Sequence, residues 1–240
     1  MYIFIILEYM MKRYKNVFLT GDLHLGDAAF RDEQKLVDLI KQDTFDCVVF
    51  GGDTFDAWRG TSERDLVVRY DQLFKFLQKV KSKVVFIKGN HDPNIDFLKK
   101  LGFSVRKRLK YVGALGERVK VLHGHEFDDD CARWEFLTKK IVYLEERLNR
   151  VLTKIDNDAI IRMARLMGDV DIKRIWKNFH NRTKYYRHVD ALLFGHLHTP
   201  AEGMKGKVKY YNWGGWQKDY SLNPRYLVHK NGKFSNLEVK

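Results

Sequence analysis

The chain has few of the residues that impose covalent or conformational constraint. Its 240 residues include only two cysteines, Cys47 and Cys131, and three prolines. Two cysteines far apart in sequence exclude a disulfide framework and a Cys-rich zinc module, and they suit a reducing, cytoplasmic compartment. Three prolines leave no material for a stiff linker, and no internal repeat is visible. No apolar run approaches the ~18 residues that a membrane-spanning helix needs. The opening Met1-Tyr-Ile-Phe-Ile-Ile-Leu7 lacks a basic flank and a small-residue cleavage site, so it is expected to be neither a secretory signal nor an anchor. Met10 and Met11 stand directly before Lys12, and the residues ahead of them are expected to stem from an upstream start codon.

Acidic residues are also in deficit, 31 against 44 Lys and Arg, for a net charge of +13. Such a molecule attracts anions, which include nucleic acid, acidic membrane surfaces and phosphorylated small molecules. With 45% hydrophobic and 14% aromatic residues the chain is not disordered and should bury a sizeable core. Its length fits one large domain, expected over residues 12–240.

Short β-rich apolar runs recur, and several end in Gly or a carboxylate. Asn16–Thr20 runs into Gly21-Asp22, Asp46–Phe50 into Gly51-Gly52-Asp53, and Lys83–Lys88 into Gly89-Asn90-His91-Asp92. Between them the spacing predicts helices over Asp32–Gln42 and Ser62–Lys81. Further strands are expected at Lys110–Ala114, Arg118–Leu122, Asp190–Phe194, Val208–Trp213, Arg225–Val228 and Phe234–Val239, so the fold class is α/β. From about Asp128 to His188 strand signals vanish. Trp134, Leu137, Ile141, Leu144, Leu148, Val151 and Ile155 fall on one helical stripe, and two further helices are predicted at Ala159–Leu166 and Val170–Tyr186. The stretch 128–188 therefore reads as a helical insertion, whose stripe packs the insertion on itself or on the body, or meets a ligand.

Metal-competent residues stand where these strands end: Asp22 and His24, Asp53, Asn90 and His91, His123, and His196 with His198. Ligands of open α/β sheets bind beyond the carboxyl ends of the strands, so one shared site is expected. Carboxylate and amide oxygens mixed with imidazole suit Mn, Fe, Co, Ni or Zn, whereas Mg or Ca would call for more oxygen. Asp22, His24, Asp53, Asn90, His123, His196 and His198 are too many ligands for one ion, which points to two ions sharing a carboxylate. Asp22 with His24 and His196 with His198, each at i and i+2, would lie on one side of an extended segment.

Asp22-x-His24, Gly52-Asp53, Gly89-Asn-His-Asp92, His123 and Gly195-His-x-His198, in that order, resemble the full signature of the calcineurin-like metallophosphoesterases. The resemblance implies a four-layer α/β/β/α sandwich with a helical cap insertion and a dinuclear centre. One ion, Mn first among the alternatives Fe, Zn, Co and Ni, would take Asp22, His24, Asp53 and His198. The other would take Asp53, Asn90, His123 and His196, with Asp53 as the bridge. His91 matches the position that donates a proton to the leaving oxygen or stabilises charge there, and Asp56 a position that orients that histidine. Asp92 is expected to hold its turn rather than meet substrate.

A narrower likeness, to UDP-2,3-diacylglucosamine hydrolases, rests on Gly21-Asp-Leu-His-Leu-Gly26, Gly52-Asp-Thr-Phe-Asp-Ala-Trp58, His123-Gly-His-Glu-Phe-Asp-Asp129, Gly195-His-Leu-His-Thr-Pro-Ala201 and Tyr211-Asn-Trp-Gly-Gly-Trp216. It implies pyrophosphate cleavage on a lipid-linked nucleotide, with the insertion receiving acyl chains. The chain departs from those hydrolases at His91, His125 and Gly215. Trp134 and the basic Arg162, Arg165, Lys173 and Arg174 are candidates for substrate contact, the basic residues having a solvated helix face as their alternative. The expected partners are a phosphorylated small molecule or a lipid-linked nucleotide, with peripheral contact at the inner membrane surface. Competing functions are a nuclease of the same superfamily and a metal-free protein-binding scaffold.

Overall fold

The computed structural model describes residues 11–26, 33–56, 62–92, 95–129, 172–182, 185–216 and 224–240. Two sheets carry the architecture. The first has six strands in the order β11-β10-β1-β2-β3-β4: β1 is Asn16–Thr20, β2 Cys47–Phe50, β3 Lys83–Ile87, β4 Ser104–Arg106, β10 Arg225–Lys230 and β11 Lys233–Glu238. The second has five in the order β5-β6-β7-β9-β8: β5 is Leu109–Val112, β6 Arg118–Val121, β7 Ala191–Phe194, β8 Ala201–Lys205 and β9 Val208–Asn212. Strands β1 to β4 run parallel, as do β6, β7 and β9, while β10 and β5 add antiparallel partners.

The alternation of side chains along each strand explains why the central strands read as unbroken apolar runs. Val17, Leu19, Cys47, Val49, Val85 and Ile87 from the first sheet meet Tyr111, Val119, Val121, Ala191 and Leu193 from the second, with Trp213 just beyond β9, in a core between the sheets. Their neighbours Phe18, Val48, Phe50, Val84 and Phe86 point the other way. They pack on helices α1 (Glu33–Lys41), α2 (Glu63–Arg69), α3 (Asp71–Lys79) and α4 (Phe97–Lys100). Across the second sheet, Leu192 and Phe194 pack on Phe127 and on Ile175 and Phe179 of α5 (Ile172–Asn181). The result is a four-layer α/β/β/α sandwich, the expected fold.

Three local expectations change. The helix expected over Ser62–Lys81 is two helices, because Tyr70, with φ −109° and ψ 25°, interrupts it. Its ring is buried and its hydroxyl accepts the Gly26 N–H at 2.6 Å. Strands β4 and β8 gave no sequence signal: β4 has three residues, and β8 is an edge strand reading Ala-Glu-Gly-Met-Lys with little burial. The helix expected over Val170–Tyr186 spans Ile172–Asn181 and is the outer layer on β7. Trp134, the rest of the stripe to Ile155, the Ala159–Leu166 helix, Arg162 and Arg165 lie outside the described residues. Lys173 and Arg174 lie on the backbone of α5. No helix among the described residues is long and apolar enough to cross a membrane.

Candidate metal centre

The segments that follow β1, β2, β3, β6 and β7 converge. The ligand atoms of Asp22, His24 and His198 form one cluster within 4.8 Å, and those of Asp53, His123 and His196 form a second. Between them stands Asp53 Oδ2, 3.9 Å from His24 Nε2 and 3.3 Å from His123 Nε2. Asn90 is buried beyond the end of β3. A further cluster, His24, Asp56 and His91, adjoins the first.

The extended geometry expected for the two i, i+2 pairs is absent. Asp22 and His24 share a cluster, but His196 and His198 divide between the two. These segments are not extended: Asp22, His24, Asp53, His196 and His198 all have positive φ, between 46° and 71°. Each ligand is turned individually rather than by strand alternation.

Backbone and neighbouring side chains aim the carboxylates. Asp53 Oδ1 accepts the His91 N–H at 2.7 Å, which leaves Oδ2 to face the two imidazoles. Asp22 Oδ2 accepts the Trp213 indole N–H at 2.8 Å, and Asp22 Oδ1 stands 3.2 Å from His123 Nε2 and 3.3 Å from His198 Nε2. Glycine makes room for both carboxylates: a Cβ on Gly89 or on Gly195 would lie 2.1 Å from an oxygen of Asp53 or Asp22. Asp92, fully buried, accepts the N–H groups of Thr54, Phe55 and Gly89 and so ties the turn after β2 to the turn after β3.

Electrostatics set the two carboxylates apart. Burial raises the pKa of Asp22, but hydrogen bonds from His123 and His198 outweigh it and hold the group well below its usual range. Burial, then the charges of Asp92 and Asp22, push Asp53 well above it. Burial lowers His123 to about 3, so its ring is neutral and has a lone pair to offer. Both ring nitrogens of His24 are buried and make no hydrogen bond. A buried imidazole without hydrogen bonds, packed among carboxylates that repel one another, fits a cation site, since a divalent ion would satisfy both deficits. The residues present therefore fit a metal centre.

His91 sits at the edge, its side chain 21% exposed, with Nδ1 3.2 Å from Asp56 Oδ1. The other oxygen of Asp56 is 3.8 Å from His24 Nδ1. Burial, opposed by Asp56, lowers the pKa of His91 to about 4. Two neighbours of the site were not among the candidates from sequence. Trp213 is one. The other is Asp128, whose Oδ2 lies 3.2 Å from His196 Nε2. Both stand in runs that carry the narrower likeness, His123–Asp129 and Tyr211–Trp216, but nothing in those runs marks either residue as a partner of the site.

Solved structures similar to the chain include an archaeal phosphodiesterase (11% identity, TM-score 0.51, covering 93% of this chain and 99% of that one). A phosphoesterase from E. coli, Yfce, has 14% identity and a TM-score of 0.50, covering 94% of this chain and 100% of that one. Vps29 from Entamoeba histolytica, complexed with zinc, has 13% identity and a TM-score of 0.48, covering 94% and 99%. At these identities the likeness is one of fold. No curated protein matches the chain. The sequence model of the calcineurin-like phosphoesterases matches residues 15–200 and so takes in every cluster residue from Asp22 to His198. The chain belongs to the calcineurin-like phosphoesterase family and is a phosphoester hydrolase.

Proposed function

We propose that the chain is a dinuclear metal-dependent hydrolase that cleaves a phosphoester or pyrophosphate in a nucleotide-linked substrate. The observation that carries the dinuclear reading is Asp53 Oδ2, placed between His24 Nε2 and His123 Nε2 at 3.9 and 3.3 Å. In this reading Asp22, His24, Asp53 and His198 hold one ion, and Asp53, Asn90, His123 and His196 hold the other. The donor set favours Mn, with Fe, Zn, Co or Ni as alternatives.

Two such ions, when bound, supply the positive charge that polarises a phosphoryl oxygen and acidifies water. The chain's own residues do the rest. Asp53, fixed through Oδ1, sets the distance between the two binding positions. His91 is held through Nδ1 by Asp56, so the proton it can pass to a leaving oxygen is the one on Nε2. Burial lowers its pKa in the free protein, so Nε2 must first take up a proton from solvent, which an anionic phosphoryl group beside the ring would favour, before it passes that proton to the leaving oxygen.

The narrower substrate follows from the likeness to UDP-2,3-diacylglucosamine hydrolases and from a net charge of +13, which suits a diphosphate. Residues 128–188 would form the cap, with Trp134 contacting the acyl chains and Arg162, Arg165, Lys173 and Arg174 the remaining phosphates. Such an enzyme would work in the cytoplasm, at the inner membrane surface. Metal analysis of protein purified without added metal, joined to assays on an aryl phosphodiester and on UDP-2,3-diacylglucosamine, tests the proposal. Chelation should abolish both activities and Mn should restore them best. Full activity in chelator with no bound metal would refute the dinuclear reading. Turnover of the diester without the lipid would move the substrate to a nucleotide or nucleic-acid phosphodiester.

A further inference from the structure

We infer that Asp128 is a positioning residue for the hydrolytic reaction, acting on the second ion's site through His196; the inference rests on the dinuclear reading above. An imidazole offers a metal one nitrogen, and what the other nitrogen binds decides the tautomer, the ring rotation and the basicity of the ligand atom. The backbone of His196 is already fixed, since its N–H reaches Asp22 Oδ1 and Oδ2 at 3.1 and 3.2 Å. Its ring is fixed by Asp128. The Asp128 carboxylate lies 3.2 Å from His196 Nε2, with the two side chains 9% and 10% exposed. A proton on Nε2 donated to that carboxylate leaves the Nδ1 lone pair for the ion. Among the described residues, Asp128 joins none of the clusters whose ligand atoms lie within 4.8 Å of one another, so it is assigned to His196 and not to the ion.

A carboxylate can orient a ligand only if it is itself held, and the chain around Asp128 is pinned on both sides. Phe127 is fully buried, with its ring centroid 5.0 Å from that of Phe179 and 5.7 Å from that of Phe194. Asn178 of α5 donates to Phe127 O at 3.1 Å and to Asp129 Oδ2 at 2.8 Å. Arg182 donates to Glu126 O and to Asp129 Oδ1. The Asp128 N–H closes the turn on His125 O at 2.9 Å. Supports of this kind hold a functional group to the fraction of an ångström that ligation requires.

The test is a Mn titration of chelator-stripped wild type, Asp128→Ala and Asp128→Asn, followed by calorimetry and by the Mn electron spin resonance signal, with melting temperatures recorded in chelator. Wild type should take up two ions. Asp128→Ala should bind one of them about 10 to 100-fold more weakly and leave the other unchanged, the range seen when a partner of a ligating histidine is removed. Asp128→Asn keeps an acceptor oxygen and should lie between. Two ions bound by Asp128→Ala within about twofold of wild-type affinity would overturn the inference. So would equal weakening of both ions with a lower melting temperature in chelator, the mark of a purely structural role. Should Asp128→Ala fail to fold, Asp128→Asn decides: weaker binding of one ion alone supports the inference, and unchanged affinity for both ions overturns it. Wild type that binds no metal overturns the dinuclear reading itself, and that outcome is visible before any variant is compared.

Discussion

Asp92 tests whether the turns that carry the proposed metal ligands are held by hydrogen bonds or serve the reaction directly. Its Oδ2 accepts the N–H of Thr54 and of Gly89, each at 3.1 Å, and its Oδ1 that of Phe55 at 2.9 Å. Burial pushes the pKa of Asp92 up to about 7 against the pull of those donors. In Asp92→Ala two buried donors and one half-buried donor lose their acceptor, at about 1–3 kcal/mol each when left unsatisfied. Water entry and relaxation recover part of this, so a loss of about 2–5 kcal/mol is expected, out of the ~5–15 kcal/mol typical of a domain. Asp92→Asn can keep two acceptor contacts through its one oxygen while its amide N–H₂ meets the third donor, which should cost about 1–3 kcal/mol. Urea unfolding in chelator reads both losses without contribution from bound metal. Mn affinity should fall as well, because Thr54 and Phe55 follow Asp53 and Gly89 precedes Asn90 in the chain. A loss of less than about 1 kcal/mol in Asp92→Ala, together with abolished turnover, would refute the reasoning and make Asp92 a residue that meets substrate.

Three further outcomes are expected. His91→Ala should lower turnover by about 100-fold or more with metal content unchanged, whereas Asp53→Ala should lose metal; loss of metal from His91→Ala would remove its assigned role. Replacing Trp134 and Leu137 with Ser should spare a small aryl phosphate and damage turnover of a bulky nucleotide-diphosphate lipid if the insertion binds substrate, whereas an equal loss on both with a lower melting temperature would end that reading. His229 is buried between the Tyr111 hydroxyl, 2.9 Å from Nδ1, and Glu117 Oε1, 2.6 Å from Nε2, and burial lowers its pKa despite Glu117. The unfolded chain then takes up the proton first, so this contribution to stability is complete above the unfolded pKa of about 6.5 and is lost as pH falls through the folded value. The stability gap between wild type and His229→Gln should be flat above about pH 7 and shrink on acidification, and a gap that widens would refute the sign.

What the sequence discloses about this fold depends on distance along the chain. Strands β1, β2, β3 and β7 are legible because they are buried on both faces, which leaves continuous apolar runs. The buried face of α1, Leu36, Leu39 and Ile40, is legible from its spacing. The break at Tyr70 is not, and the hydroxyl of Tyr70 has its partner, Gly26, 44 residues away. Edge strand β8 escapes because exposure removes the apolar pattern, leaving Glu202, Met204 and Lys205 to read as loop. Among site residues, those in the motifs are found as residue types at strand ends. Asp128 and Trp213 act across 68 and 191 residues, so only the folded chain brings them to His196 and Asp22.

Five of the seven proposed ligands, Asp22, His24, Asp53, His196 and His198, occupy the left-handed region of φ. Each such residue costs about 1–3 kcal/mol unless glycine takes its place. Summed, that is comparable with the whole net stability of a domain, ~5–15 kcal/mol, so the surroundings must over-determine these turns. They do so from several directions: the Asp22 N–H donates to Gly52 O at 2.9 Å and the His24 N–H to Asp53 O at 3.0 Å. Trp213 adds its indole N–H to Asp22, and Asp92 fastens the turns after β2 and β3. Glycine would relieve the strain but could not ligate. Among residues with side chains, Asp, Asn and His enter this region most readily, and they are also the ones that bind intermediate divalent metals. A strand that must end in a sharp turn and present a ligand at the same residue meets both demands with Asp or His. That is why these two residue types recur at the ends of β1, β2 and β7, and why the proposed metal site gathers five of the seven positive-φ residues other than glycine in the described fold.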